Sequence, residues 1–276
     1  MPLRFRFTAA NSLFTWALTL AVSVALLPTF ASAQVVYAND FETNTAGFSP
    51  GGSITSLTRT SLPTDSGGLS SPNQSTYLGR LGSGIAKSGS IDEIATLSLT
   101  GLSAGTNYSV AFDLLIGASW DGSANGFGPD SWRFAVNGVR LVDTTFSNGQ
   151  QGVNVGAYSP QRYSDTTYTS TTGPDFPRHT GADFAFSPNN TNYSLDYSIY
   201  LFGRGVGNPY LEFTATSSTA TLEFARYGNT TDSSDEYWAL DNLQVTAVPE
   251  PSSMALASIA GLAALTRHMR KRRSAT

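Results

Sequence analysis

The chain predicts an all-β fold, an antiparallel two-sheet sandwich of jelly-roll type, and three observations carry that expectation. Between residue 34 and about residue 246, short runs of β-branched and aromatic residues are separated by clusters of Gly, Asn, Pro and Ser. Inside those runs apolar and polar residues alternate with period two, the spacing of a strand with one face on a core and one in water. No long amphipathic helical pattern appears outside the two ends.

The clearest strands are 96–99, 108–116, 132–136, 196–202, 210–216, 221–227 and 237–245. In the second of these, Tyr108, Val110, Phe112 and Leu114 form one apolar face. Leu211-Glu212-Phe213-Thr214 and Leu222-Glu223-Phe224-Ala225 alternate in the same way. Asn137-Gly138 falls between two strand-like runs, which makes it the strongest hairpin signal in the chain. Seven or more short strands at this spacing suit a sandwich. Two polar stretches, 50–73 and 146–192, interrupt the pattern and read as elaborated loops, a length uncommon unless the loop binds something or is mobile.

Composition narrows the function. Aromatics at 12% supply enough apolar bulk for a core, so general disorder is excluded. Residues 34–247 hold nine basic against nineteen acidic residues, a net of −10. Nucleic acid is a poor partner for so acidic a segment, because Lys and Arg must neutralise its phosphates. The chain has no cysteine, which removes disulfides, thiolate zinc sites and cysteine nucleophiles. With two histidines, His179 and His268, histidine-based catalysis has almost no candidates.

The ends read as addresses. Arg4 and Arg6 precede an apolar run over 13–27, then Pro28 and the small triplet Ala31-Ser32-Ala33. Basic region, apolar core and A-x-A site in that order describe a secretory signal helix, residues 1–33, cleaved between Ala33 and Gln34. At the other end, Val248-Pro249-Glu250-Pro251 leads into an apolar helix over 254–265 and a terminal group of Arg267, Arg270, Lys271, Arg272 and Arg273. A short apolar helix can enter the inner membrane while the arginines hold its end on the cytoplasmic side. The prolines keep the backbone before it extended and accessible.

Residues 248–276 resemble the PEP-CTERM sorting signal, also known as the ice-binding protein C-terminal domain, a name that does not imply ice binding. The resemblance implies recognition by an exosortase, a membrane transpeptidase of Gram-negative bacteria that make exopolysaccharide. It also implies transfer through the export machinery to the cell surface, outer membrane or extracellular matrix. The apolar stretch here is short, alanine-rich and interrupted by Gly261, which suits a transient hold better than permanent anchoring.

Between the addresses, residues 34–247 form one predicted extracellular domain. Asn39-Asp40-Phe41-Glu42 near its start and Leu240-Asp241-Asn242-Leu243 in its last strand resemble exported jelly-roll modules of the carbohydrate-binding kind. Such modules often open with Asp-Phe-Glu and close with Asp-Asn, and in several the two ends share a structural Ca2+. The resemblance implies Asp40, Glu42 and Asp241 as ligands, hard oxygen donors that suit that ion. The plainer alternative is strand-end and capping carboxylates.

A second candidate is the glycine-rich loop from Ser119-Trp120-Asp121-Gly122 to Gly128-Pro129-Asp130-Ser131-Trp132. Its aspartates could hold Ca2+ or accept sugar hydroxyls while a Trp stacks on a pyranose, or both Trp could be core and both Asp turn residues. A third is Glu212 with Glu223, a carboxylate pair that would hydrolyse glycosides if held ~5–10 Å apart. The expected function is a non-catalytic surface or matrix protein that binds polysaccharide, with a carboxylate-dependent polysaccharide hydrolase as the alternative. Mass spectrometry of the exported protein is expected to give Gln34 as first residue, and a protein whose mature form retains Met1 would contradict the cleavage site. Replacing Pro249 and Pro251 by Ala should leave the chain unprocessed in the inner membrane.

Overall fold

The computed structural model describes residues 33–249 and 261, apart from 53, 55, 62–75, 82–90, 124–128, 150–158, 187–195, 205–210 and 228–235. The expected signal helix up to residue 32 and the expected C-terminal helix apart from Gly261, with Ala31, Glu250 and Pro251, lie outside the described residues. Among the described residues no helix is long and apolar enough to cross a membrane. Gln34–Val248 forms a compact unit of its own.

That unit is built of two antiparallel sheets. The strands are β1 (Gln34–Asn39), β2 (Phe48–Gly52), β3 (Arg59–Ser61), β4 (Thr76–Leu81), β5 (Ile91–Thr100), β6 (Asn107–Ala118) and β7 (Ser131–Val136). They continue as β8 (Val139–Thr145), β9 (Phe184–Phe186), β10 (Tyr197–Phe202), β11 (Leu211–Thr214), β12 (Thr219–Tyr227) and β13 (Glu236–Ala247). The larger sheet runs β3-β4-β13-β6-β10-β9, with β1 also on β13 and β11 also on β6; the smaller runs β2-β5-β12-β7-β8. Successive strands cross repeatedly between sheets, β5 to β6, β6 to β7 and β11 to β12 among them.

All seven strands expected from the pattern are present. The β7–β8 hairpin turns at Asn137-Gly138 with φ of 50° and 80°, both left-handed, as a type I′ turn requires. The stretch 50–73, expected as loop, contains parts of β2 and all of β3. Pro50 is tolerated because β2 is an edge strand that pairs with β5 alone.

The core lies between the sheets and is aromatic. Phe112 of β6 sits at its centre, its ring 4.9 Å from Phe202, 5.3 Å from Phe224, 5.4 Å from Phe134 and 5.9 Å from Trp132. Tyr108, Val110, Phe112, Leu114 and Ile116 all point inward, as the period-two reading of β6 requires. The alternation in β13 changes phase midway: Trp238 and Leu240 face the core, then Leu243 and Val245 do. A bulge between Asp241 and Gln244 causes the switch. Asn242 occupies it with φ 50°, a conformation Asn tolerates better than most residues.

The outer face of the larger sheet carries a smaller apolar cluster of Tyr77, Leu115, Ala118, Ile199, Tyr237 and Ala239. Gly117 lies directly beneath the Tyr237 ring, where a Cβ would stand 2.1 Å from Cζ. Arg80 covers the same ring from 4.4 Å.

The stretch 146–192 departs from expectation. Its described residues hold little regular structure beyond β9, yet Phe146 and Tyr163 are fully buried core residues with rings 4.8 Å apart. Their burial makes this region part of the core rather than an appended loop. Phe112→Ala is expected to destabilise the domain by about 3–5 kcal/mol, read by denaturant unfolding, since a large aromatic cavity at the centre of a packed core cannot collapse.

Candidate functional site

Two sites are built by this topology. The first lies where the first and last strands meet. β1 runs antiparallel to the C-terminal half of β13, with Asn39 opposite Leu243. The chain then turns sharply: Asn39 Oδ1 accepts the Phe41 amide at 2.8 Å, and Asp40 Oδ1 accepts the Glu42 amide at 3.2 Å. Phe41, with φ 55°, drives its ring into the core against Phe48 at 5.6 Å. Arg59 clamps the turn from β3, donating from Nη1 to the carbonyls of Phe41 at 2.9 Å and Glu42 at 2.5 Å. Glu42 Oε1 accepts the Thr76 amide at 2.8 Å.

Beside this turn opens a cleft of about 490 Å³ lined chiefly by Tyr37, Asn39, Asp40, Asn44, Arg204, Asn242 and Gln244. Asp113, buried in β6, organises it. Its carboxylate takes a salt bridge from Arg204 and a hydrogen bond from Asn242 Nδ2 at 2.8 Å. Asn39 Nδ2 reaches both the Tyr37 hydroxyl and the Asn44 side chain. The cleft therefore presents planar polar groups that hold one another in place.

The second site is a buried carboxylate cluster. Trp120 is fully buried, and its indole N–H donates to the Tyr237 carbonyl at 3.0 Å, which docks the loop against the start of β13. Asp121 N–H donates to Asp130 Oδ2 at 2.5 Å and Asp130 N–H donates to the Gly122 carbonyl at 2.8 Å, so the loop closes on itself. Glu236, the first residue of β13, completes the group: carboxylate oxygens of Asp121, Asp130 and Glu236 lie within 4.8 Å of one another. Arg226 of β12 pairs with Glu236 and lies over the Trp120 ring at 5.2 Å.

Burial dominates the electrostatics here. Loss of water pushes Asp130 up to about 7, against the pull of the Asp121 amide and Arg226. Burial first, and then the Asp130 carboxylate, push Glu236 up to about 9. Because Arg226 favours an ionised Glu236, the extra proton belongs to the Asp130–Glu236 pair rather than to either residue.

The polar region beside this cluster is pinned by buried amides. Gln161 Oε1 accepts the amides of Ser147 at 3.2 Å and His179 at 3.1 Å, and its Nε2 donates to the carbonyls of Tyr163 and Thr180. Asn148 Nδ2 donates to the Ile116 and Ala118 carbonyls. Ser159 Oγ reaches Asp121 Oδ1 at 3.2 Å and so joins this region to the cluster. His179 sits here with Nε2 buried and without a hydrogen-bond partner. Desolvation, with Arg178 nearby, lowers its pKa to about 4.

These positions place the residues singled out in the sequence. Asp40, Glu42 and Asp241 do come to one corner of the sandwich, but their carboxylates do not converge. Asp40 and Glu42 turn onto backbone amides, Asp241 accepts the Asn242 amide at 2.7 Å, and the carbonyls beside them are taken by Arg59. Glu212 and Glu223 lie in opposite sheets, and Glu223 faces Arg133 at 3.9 Å. Trp120 and Trp132 are both core residues, which leaves neither ring to stack on a sugar. Val248 donates its amide to the Asn107 carbonyl at 2.8 Å and Pro249 is exposed. Glu236 had no signal in the sequence, where it reads as one more acidic residue after a Ser-rich turn.

Comparison with known proteins decides the C-terminal address. Residues 247–273 match the family model for the PEP-CTERM protein-sorting motif. The chain carries a PEP-CTERM sorting motif. The motif implies export and exosortase-mediated delivery to a surface or extracellular location. No curated protein sequence matches the chain.

Solved structures with partial likeness include the CBM22-1–GH10 modules of Clostridium thermocellum endo-1,4-beta-D-xylanase 10B complexed with xylohexaose. That match has 9% identity and a TM-score of 0.33, and covers 78% of this chain and 29% of the xylanase chain, so this chain spans less than a third of it. The CBM2 module of the evolved Dit of Lactobacillus casei BL23 phage J-1 matches at 11% identity and TM-score 0.37, over 79% of this chain and 97% of that one. A Paenibacillus sp. cycloisomaltooligosaccharide glucanotransferase complexed with cycloisomaltoheptaose matches at 14% identity and TM-score 0.25, over 74% and 19%.

The environment of His179 generates a pH prediction. Its folded pKa of about 4 lies below the ordinary 6.5, so the unfolded chain binds the extra proton between those values. Its contribution to stability is therefore intact above pH ~6.5 and is lost as pH falls toward ~4. His179→Asn, which tolerates the local φ of 61°, should flatten the acid limb of the thermal midpoint against pH relative to the unmodified protein.

Proposed function

We propose that this is a non-catalytic surface or matrix protein, exported and processed by an exosortase, that holds a hydroxyl-rich polysaccharide in the cleft between β1 and β13. The producing cell's own exopolysaccharide is the natural ligand in that setting. The observation that carries the reading is the cleft's lining. The planar amides of Asn39, Asn44, Asn242 and Gln244 line it, the first three held by hydrogen bonds to neighbouring residues, and such a wall of amide donors and acceptors suits vicinal hydroxyls. Asp113 holds Arg204 and Asn242 in position before any ligand arrives, which lowers the ordering cost of binding.

Charge points the same way. Arg204 and Asp40 are the charged groups that line the cleft, and Arg204 is already paired with Asp113, so no cation is left over for a polyanion and a neutral sugar fits better. For hydrolysis, two of the three carboxylates that cluster among the described residues, Asp130 and Glu236, are 0% and 1% exposed, which leaves Asp121 without a reachable carboxylate partner for a polymer.

The test is a glycan array and a pull-down with purified exopolysaccharide, using the exported protein. Gln244→Ala should weaken binding about 10-fold, the worth of one or two hydrogen bonds, with unchanged thermal midpoint. Arg204→Ala should weaken binding and also lower the midpoint, because it takes the guanidinium from the buried Asp113 carboxylate. A folded protein that binds no glycan overturns the reading. Release of new reducing ends from the polysaccharide would instead establish the hydrolase alternative.

A further inference from the structure

We propose that Asp121, Asp130 and Glu236 form a binding site for a divalent, oxygen-seeking cation, Ca2+ in the first instance, which ties the 119–130 loop to the first residue of the last strand. The three carboxylates come from the two ends of that loop and from β13, and their oxygens converge within 4.8 Å. Asp130 is 0% exposed, and while its Oδ2 accepts the Asp121 amide, its Oδ1 is buried with no hydrogen-bond partner. A buried carboxylate oxygen left without a partner is costly, and a coordinated cation is the ligand that satisfies it.

Charge sets the valence. When all three carboxylates are ionised they face one guanidinium, that of Arg226, which leaves two negative charges for a dication to close in place of a proton. The donors are all hard oxygens, with no His or Cys in the group, which selects Ca2+ or Mg2+ over zinc. Ca2+ suits an irregular loop better, because Mg2+ demands near-octahedral geometry and gives up water reluctantly. At the corner of Asp40, Glu42 and Asp241 the Phe41 and Glu42 carbonyls already accept from Arg59.

The experiment is thermal unfolding of the exported protein in chelator, in Ca2+ and in Mg2+, together with Tb3+ luminescence excited through tryptophan. Ca2+ at ~100 times its dissociation constant should raise the folding equilibrium constant about 100-fold, seen as a clear rise in midpoint. Asp130→Asn should abolish both that rise and the luminescence, whereas Asp241→Asn and Asp40→Asn should keep both. If Asp130→Asn does not fold, Trp120→Phe is the second arm. Loss of most sensitised luminescence with retained Ca2+ stabilisation supports an ion beside Trp120, and unchanged luminescence overturns that placement. Equal midpoints in chelator and Ca2+ without Tb3+ luminescence overturn the proposal. So does a Ca2+ effect that survives Asp130→Asn or vanishes in Asp241→Asn.

Discussion

Both sites hang from the antiparallel pair β6–β13. At one end of this ladder Glu236 stands opposite Ala118, which places its carboxylate beside the loop that follows β6. Further along, Asp241 stands opposite Asp113, and the bulge beyond it presents Asn242 to the cleft. A one-residue slip in this register would turn every side chain of β13 to the other face and dissolve both sites at once. The register is fixed from both faces. Trp238 and Leu240 are buried in the main core, while Tyr237 and Ala239 are buried in the outer cluster, with Gly117 clearing space for the Tyr237 ring.

A chain without cysteine must hold such a register without disulfides. The ring system around Phe112 does this by joining β6, β7, β10 and β12, strands from both sheets. Aromatic rings bury much surface per residue, and their edge and offset contacts add directional preference to nonspecific burial. The outcome is a core that specifies which strands face each other as well as how much area is hidden.

Buried polar groups then decide the details that apolar packing leaves open. Gln161 satisfies several backbone groups of irregular segments, a role that a sheet ladder fills elsewhere, and Asn148 donates to two carbonyls at the end of β6. Arg226 and Glu236 are 3% and 1% exposed, so their pairing exacts a desolvation cost that is recovered only in the native arrangement. Such groups contribute little net stability but disfavour any other arrangement of the 119–186 region.

The sequence by itself determined the all-β class, the inward face of β6, the Asn137-Gly138 hairpin and the PEP-CTERM address. Each of these depends on residues close together in the chain, through strand alternation, a left-handed turn or a contiguous motif. It also marked the Asp121–Asp130 loop and the Asp241-Asn242 pair as unusual, without revealing what either does. Tertiary structure decided the rest. It placed Glu212 and Glu223 in opposite sheets, turned Asp40 and Glu42 onto amides, and buried Phe146 and Tyr163 in a stretch too polar to read as core. It brought Glu236 more than a hundred residues along the chain to Asp121 and Asp130. The physical reason is that a carboxylate's neighbours are set by strand pairing and register, which are long-range properties that no local pattern encodes.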